Sequence, residues 1–189
     1  GIGRVRRPSL GVIAGDLDGD GAVDLYVAVD GEANLLWHNR GDGTFDETAL
    51  SSGCALDWSG RAQSSMGVDL GDWNGDGDLD LVVTHMDGEV HTLYDNLGSG
   101  SFADVTPGSG LDAASLRHTG YGVAWLDADL DGRLDLVIAN GAMQLANAWN
   151  PPGAASPLAE PDQLLLGTGA GFVAAPAGAD DPLAVPLVS

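Results

Sequence analysis

The stretch Asp72–Asp80, DWNGDGDLD, followed by the apolar run LVVT at 81–84, decides how this chain is read. Asp72, Asn74 and Asp76 place an oxygen donor on alternate residues, and Asp80 adds another at position 9 of the loop. An all-oxygen donor set is what a hard cation such as Ca2+ prefers. Gly77, at position 6, permits the backbone conformation that folds such a loop around an ion. The run after it is short and rich in β-branched residues, which predicts a buried strand.

The same pattern occurs at Asp16–Asp24, DLDGDGAVD, and at Asp127–Asp135, DADLDGRLD, so the three starts lie 56 and 55 residues apart. A cation site is therefore repeated on a structural period. The side-chain candidates are Asp16, Asp18, Asp20 and Asp24; Asp72, Asn74, Asp76 and Asp80; and Asp127, Asp129, Asp131 and Asp135. Position 7 is Ala22, Asp78 or Arg133, residues with no side-chain chemistry in common, so the ligand expected there is the backbone carbonyl. An EF-hand would need a bidentate Glu at position 12 between flanking helices. Here position 12 is Val27, Val83 or Ile138, inside the runs LYVAV, LVVT and LVIA. The ninth-position aspartate is expected to close the site instead. A dockerin, with a helix after each loop and a shorter period, is disfavoured on the same grounds.

The rest of each period predicts a small sheet. LGVIAG (10–15), MGVDLG (66–71) and YGVAWL (121–126) precede the loops, and LLWHNRGDGTF (35–45), TLYDNLGSGSF (92–102) and LLLGTGAGF (164–172) follow. Gly-x-Gly between apolar runs signals a hairpin. Four strands per repeat of roughly 40–55 residues predict a β-propeller blade, with the acidic loop joining the first two strands. The fold class is all-β. The predicted organisation is a connector at 1–8, blades at 9–62, 63–118 and 119–175, and a tail at 176–189 that resembles the lead-in to another loop. Propellers close with about 4–8 blades, so the chain is expected to be an internal piece of a larger propeller of about seven blades. An open arc closed by a second copy, or a stand-alone short product, would leave strand edges and an apolar face bare.

Residues 140–162 interrupt the third period with a Pro-, Ala- and Gly-rich surface loop, in which Met143, Trp149, Pro151 and Pro152 form a candidate contact surface. A tolerated insertion packed over the blade edge is the plainer reading. The formal net charge is −21, and 12 of the 28 acidic residues lie in the three loops. Three bound Ca2+ would leave about −15, which argues against nucleic acid or an anionic membrane as partner. All seven basic residues are arginine, which together with the Ala and Gly content suggests coding bias more than function. Cys54 is the single cysteine, so no internal disulfide forms, and a small buried residue is the expected role. Within these residues no apolar run is long enough for a membrane helix or reads as a signal peptide. Composition fits a secreted, extracellular or periplasmic protein.

The runs at 65–106 and 119–142 resemble FG-GAP/VCBS repeats, and more narrowly the ASPIC/UnbV, cartilage acidic protein-like group. The resemblance spans residues 9 to 175. It implies a calcium-stabilised propeller related to that of the integrin α subunit, and the carboxylate and Asn74 ligands named above. The further blades and C-terminal segment of that group are not in this sequence.

Function is then expected to be adhesion or protein–protein interaction, with Ca2+ at three sites and a protein or glycan as ligand. No G-x-S-x-G elbow or phosphate-binding loop is present, and His38, His85, His91 and His118 are scattered. His85 and His91 flank the turn MDGEV, where satisfied surface histidines are the expectation. Two alternatives use similar scaffolds. A calcium-dependent polysaccharide lyase would need a basic residue near the ion, for which Arg61 and Arg117 are candidates. A propeller lectin would bind sugar between blades with aromatic residues. Trp37, Trp73, Tyr94 and Trp125 read first as packing between blades, and Trp58 is the least explained.

Overall fold

The computed structural model describes residues 2–143 and 158–176. Apolar runs bounded by Gly-rich turns fold into three four-stranded antiparallel sheets, each an up-and-down meander. The first holds β1 (Ser9–Gly15), β2 (Asp24–Val29), β3 (Leu35–Asn39) and β4 (Phe45–Glu47). The second holds β5 (Val68–Gly71), β6 (Asp80–Val83), β7 (Thr92–Asn96) and β8 (Phe102–Asp104). The third holds β9 (Gly120–Leu126), β10 (Asp135–Asn140), β11 (Gln163–Gly167) and β12 (Phe172–Ala174). The first strands β1, β5 and β9 are neighbours along the stack, so the sheets follow one another in chain order. The ring is not closed among the described residues. Trp149, Pro151 and Pro152 of the long third-period loop, and the tail from 177 onward, lie outside the described residues.

Strand alternation builds one core between each pair of sheets. Tyr26, Ala28 and Leu36 point from the first sheet to meet Leu81, Val83, Tyr94 and Phe102 of the second. Val82 and Leu93, on the second sheet's opposite face, meet Leu136, Ile138, Leu165 and Phe172 of the third. All four residues of β6 are buried because this inner strand of the middle sheet is covered on both faces, which is why Leu81, Val82 and Val83 read as a continuous apolar run after Asp80. Burying one such leucine or valine contributes roughly 1.5–3 kcal/mol. Val29, Leu35 and Trp37 form a third cluster on the outer face of the first sheet.

Two helices lie in the linkers between sheets. They are α1 (Ala49–Ser52), ended by Gly53 at φ 86°, and α2 (Leu111–Ser115). Each is about one turn long, too short to leave a periodic signature in the sequence. Tyr26 Oη donates to the Cys54 carbonyl (2.7 Å) and Tyr94 Oη to that of Leu56 (3.0 Å), which ties the first linker into the first core. Cys54 is buried there as expected, and burial pushes its thiol well above the usual range.

Candidate metal centres

Each acidic loop is curled by its own side chains. In the first, Asp16 accepts the Gly19 N–H at Oδ1 (2.9 Å) and the Gly21 N–H at Oδ2 (2.9 Å). In the second, Asp72 accepts the N–H groups of Gly75 (2.8 Å), Asp76 (3.0 Å) and Gly77 (3.0 Å). In the third, Asp127 accepts those of Asp131 (3.0 Å) and Gly132 (3.1 Å). Positions 3 and 5 repeat the device one step on. Asp18, Asn74 and Asp129 each accept the N–H two residues ahead, as do Asp20, Asp76 and Asp131. The position-6 glycines Gly21, Gly77 and Gly132 sit at φ 87°, 96° and 85°, a left-handed conformation that a Cβ would oppose.

The ninth-position aspartate closes each loop in a way the sequence does not show. Asp24, Asp80 and Asp135 are buried and accept two backbone N–H groups apiece. One donor is position 2 of the same loop, from Leu17 (3.1 Å), Trp73 (3.0 Å) or Ala128 (2.7 Å). The other is the last residue of the sheet's third strand, Asn39 (2.8 Å), Asn96 (2.8 Å) or Gly167 (2.7 Å). The carboxylate thus fastens the loop to its sheet. In the second loop burial pushes Asp80 up to about 6, with Asp95 and Asp76 adding repulsion and the Asn96 and Trp73 N–H groups opposing it.

Ligand atoms of Asp16, Asp18 and Asp20 lie within 4.8 Å of one another, as do those of Asp127, Asp129 and Asp135. Carboxylates this close, curled by backbone donors and with no arginine paired to the first loop's trio among the described residues, fit a divalent cation by donor chemistry. The loops differ in detail. In the second, the Asn74 amide donates to Asp76 (2.9 Å) and Asp95 (2.7 Å). In the third, the Arg133 guanidinium pairs with Asp131 and its Nε donates to the Gly167 carbonyl (2.9 Å). Position 4 differs too: Gly19 and Gly75 lie at φ 76° and 78°, but the third loop places Leu130 there at φ 62°.

His38 joins the first site, although nothing adjacent to it in the sequence sets it apart from the other scattered histidines. Its Nδ1 lies 3.0 Å from Asp18 and 3.4 Å from Asp24. Its strand position, one before Asn39, matches Asp95 and Leu166 in the other sheets, and that register is the signal that could have found it. His85 and His91 are not surface residues, contrary to expectation. Both are buried where the β6–β7 turn meets the linker after β8, and His91 Nδ1 accepts the His85 N–H (3.1 Å). Burial pushes His85 down to about 3 and His91 well below its usual range. Of the aromatic residues expected to pack between blades, Tyr94, Trp73 and Trp125 lie in the inter-sheet cores, whereas Trp37 is buried on the outer face of the first sheet. Trp37 and Tyr94 are buried on their sheets, and Trp73 and Trp125 both pack near Phe172, at 6.1 and 5.9 Å between ring centroids. Trp58 is 63% exposed.

The FG-GAP-like repeat family matches residues 16–83 and 72–138, each match running from one acidic loop through the second strand of the next sheet. Cartilage acidic protein 1 of Homo sapiens is 31% identical over 141 residues, covering 73% of this chain and 20% of that protein. The Mus musculus protein of the same name is 30% identical over the same length and coverage. That of Xenopus tropicalis is 33% identical over 84 residues, covering 44% of this chain and 12% of its own. The chain spans about a fifth of the length of the first two relatives.

Proposed function

Since the chain belongs to the FG-GAP-like repeat family, we propose that its three sheets are calcium-stabilised propeller blades of an extracellular or periplasmic protein, serving adhesion or protein–protein interaction. The observation that carries this reading is the threefold recurrence of a self-curled acidic loop fastened to its sheet by a buried ninth-position aspartate. The ligands would be Asp16, Asp18, Asp20 and Asp24; Asp72, Asn74, Asp76 and Asp80; and Asp127, Asp129, Asp131 and Asp135. The backbone carbonyls of Ala22, Asp78 and Arg133 would complete them. Bound calcium supplies positive charge where carboxylates otherwise repel. Among the described residues no helix is long and apolar enough to cross a membrane.

Catalysis is not part of this reading. Arg61, a basic residue a lyase would need beside calcium, lies in the linker at the opposite end of the sheets from the loops, 3.6 Å from Asp57. Arg117 belongs to the corresponding linker after β8 and is exposed. A carbohydrate-binding role shares the scaffold, and glycan-array binding would separate it from a protein-binding one.

Extracellular calcium modules bind at roughly 10⁻⁴ to 10⁻³ M. At millimolar calcium each site would then contribute about 0.5–1.5 kcal/mol of stability by mass action. The test is a thermal melt in Ca2+, in Mg2+ and in a chelator, with Asp76→Ala beside the parent. A calcium-specific rise in Tm that Asp76→Ala diminishes is expected. An identical calcium response in parent and variant would overturn the second site's assignment.

A further inference from the structure

A cavity of about 530 Å³ opens at the end of the sheets opposite the acidic loops. Three segments line it: the linker at 57–63, the β6–β7 turn at 88–90, and the linker running through α2 at 106–116. Its walls carry Asp57, Trp58, Arg61, Glu89 and Asp112, three carboxylates against one guanidinium.

The feature that needs explaining is Trp58. Its turn is rigidly built: Asp57 Oδ1 accepts the Ser59 N–H (2.9 Å), the Ser59 hydroxyl (2.7 Å) and the Arg61 N–H (2.9 Å). The Trp58 N–H donates to Asp104 (2.7 Å), fixing the turn to the second sheet. All this order holds up an indole that remains 63% exposed and belongs to no core cluster among the described residues. A large aromatic on a rigid support beside a cleft is a binding anchor in form.

Charge narrows the occupant. The Asp57 carboxylate is consumed by its own turn and by Arg61. Glu89 has one backbone donor, the Ser64 N–H (2.7 Å). Its carboxyl is held above the usual range, first by burial and then by Asp30 and Asp57, with Arg61 only partly opposing. Asp112 contributes a third negative charge on the far wall. A cation entering the cleft would meet an indole face and these acids together, and Trp is the best of the ring partners for a cation.

We propose that this cleft binds a cationic side chain, an arginine or lysine of a partner protein, with Trp58 as its platform and Glu89 as its counter-charge. The proposal rests on the interaction-module reading above and names the chemistry of its partner. The site is remote from the acidic loops and does not require a ligand to touch calcium.

The test uses the whole chain in saturating calcium and titrates a blocked Gly-Arg-Arg-Gly peptide. Tryptophan fluorescence, with Trp58→Ala as the blank for the other four indoles, and the chemical shifts of residues 57–63 and 88–90 are followed. A blocked Gly-Gln-Gln-Gly peptide and N-acetylglucosamine serve as neutral probes. The arginine peptide is expected to saturate these signals and the neutral probes to leave them unmoved. Trp58→Ala is expected to weaken binding at least about 3-fold, in line with a cation–π contact, and Glu89→Gln likewise, with affinity falling as salt rises. Equal binding by parent and Trp58→Ala would place the peptide on the general acidic surface and overturn the proposal. Preference for the sugar, or no saturable change at Trp58, would do the same. Both variants are expected to keep the parent's calcium-dependent melt, so failure here is distinguishable from failure of the calcium assignment.

Discussion

Leu130 is the residue whose replacement tests the loop geometry most directly. It occupies position 4 of the third acidic loop at φ 62°, where the other two loops carry Gly19 and Gly75 at φ 76° and 78°. For an L-residue the left-handed conformation costs roughly 1–2 kcal/mol. Leu130 is 85% exposed, so its removal forfeits almost no apolar burial. Leu130→Gly relieves that strain but gives the unfolded chain more freedom, a loss of roughly 0.5–1 kcal/mol. The net expectation is a stabilisation of about 0.5–1 kcal/mol, or a rise in Tm of about 1–4 °C for a chain of this size. Differential scanning calorimetry in chelator reads the backbone effect alone, and a parallel run in calcium shows whether the relaxed loop also binds more tightly. The reciprocal change, Gly75→Leu, is expected to lower Tm by a similar amount. A Leu130→Gly variant no more stable than the parent in chelator would refute the strain argument.

Asn96 is buried and donates from Nδ2 to the carbonyls of Leu17 (2.9 Å) and Leu79 (3.0 Å). Asn96→Ala is therefore expected to cost about 2–3 kcal/mol in urea denaturation, more than Asn39→Ala, whose single Nδ2 bond to Val23 is exposed. Arg133→Ala frees the Asp131 carboxylate from its guanidinium. Because that pair is partly exposed, calcium affinity of the third loop should rise only about 2–5-fold by titration calorimetry. His85, at about 3, and His91 bind protons far less readily folded than unfolded, so stability falls as pH drops below about 6.5. Asp80, raised to about 6, acts with the opposite sign in calcium-free protein, as do Glu89 and Asp104, whose carboxyls burial also raises, so the loss from the histidine pair is partly offset between pH 6 and 5. A flat urea-midpoint profile in chelator across that interval would refute the burial of the histidine pair.

The strands and loops were legible because their signals are local. DLDGDGAVD and its two relatives carry their oxygen-donor spacing, their position-6 glycine and the following strand in consecutive residues. Even the odd φ of Leu130 could be read by aligning it with Gly19 and Gly75. What the sequence hid depends on contacts between sheets. Asn96 stands in the hairpin sequence TLYDN, yet its bond to the Leu17 carbonyl spans 79 residues. His85 and His91 look like turn-flanking polar residues, and are buried because the linker after β8 covers them, with Ser115 Oγ accepting the His91 N–H (2.9 Å). The cleft around Trp58 is assembled from three segments up to about 60 residues apart, so nothing in any one segment announces it.

The acidic loops are wired into the packing between sheets, and that wiring decides what an ion at one of them would do. Position 2 of the first two loops faces the next sheet: Leu17 is buried in the first core and Trp73 packs against the second, whereas Ala128 of the third loop is exposed. The carboxylate at position 9 fixes that same residue through its N–H, so the loop's closure and the placement of its core side chain are one event. Asn96 extends the coupling, because its side chain holds the carbonyl of Leu17 in the first loop and of Leu79 in the second at once. Repulsion among the carboxylates of one loop therefore works against the core beside it and against the loop of its neighbour. Relief of that repulsion by a cation would stabilise both. In a stack where each sheet touches only its neighbours, stability is a sum of sheet and interface terms. A cation at the second loop acts on an interface term on either side, whereas one at the third is partly anticipated by Arg133. The second loop is accordingly the one whose loss should propagate furthest along the chain.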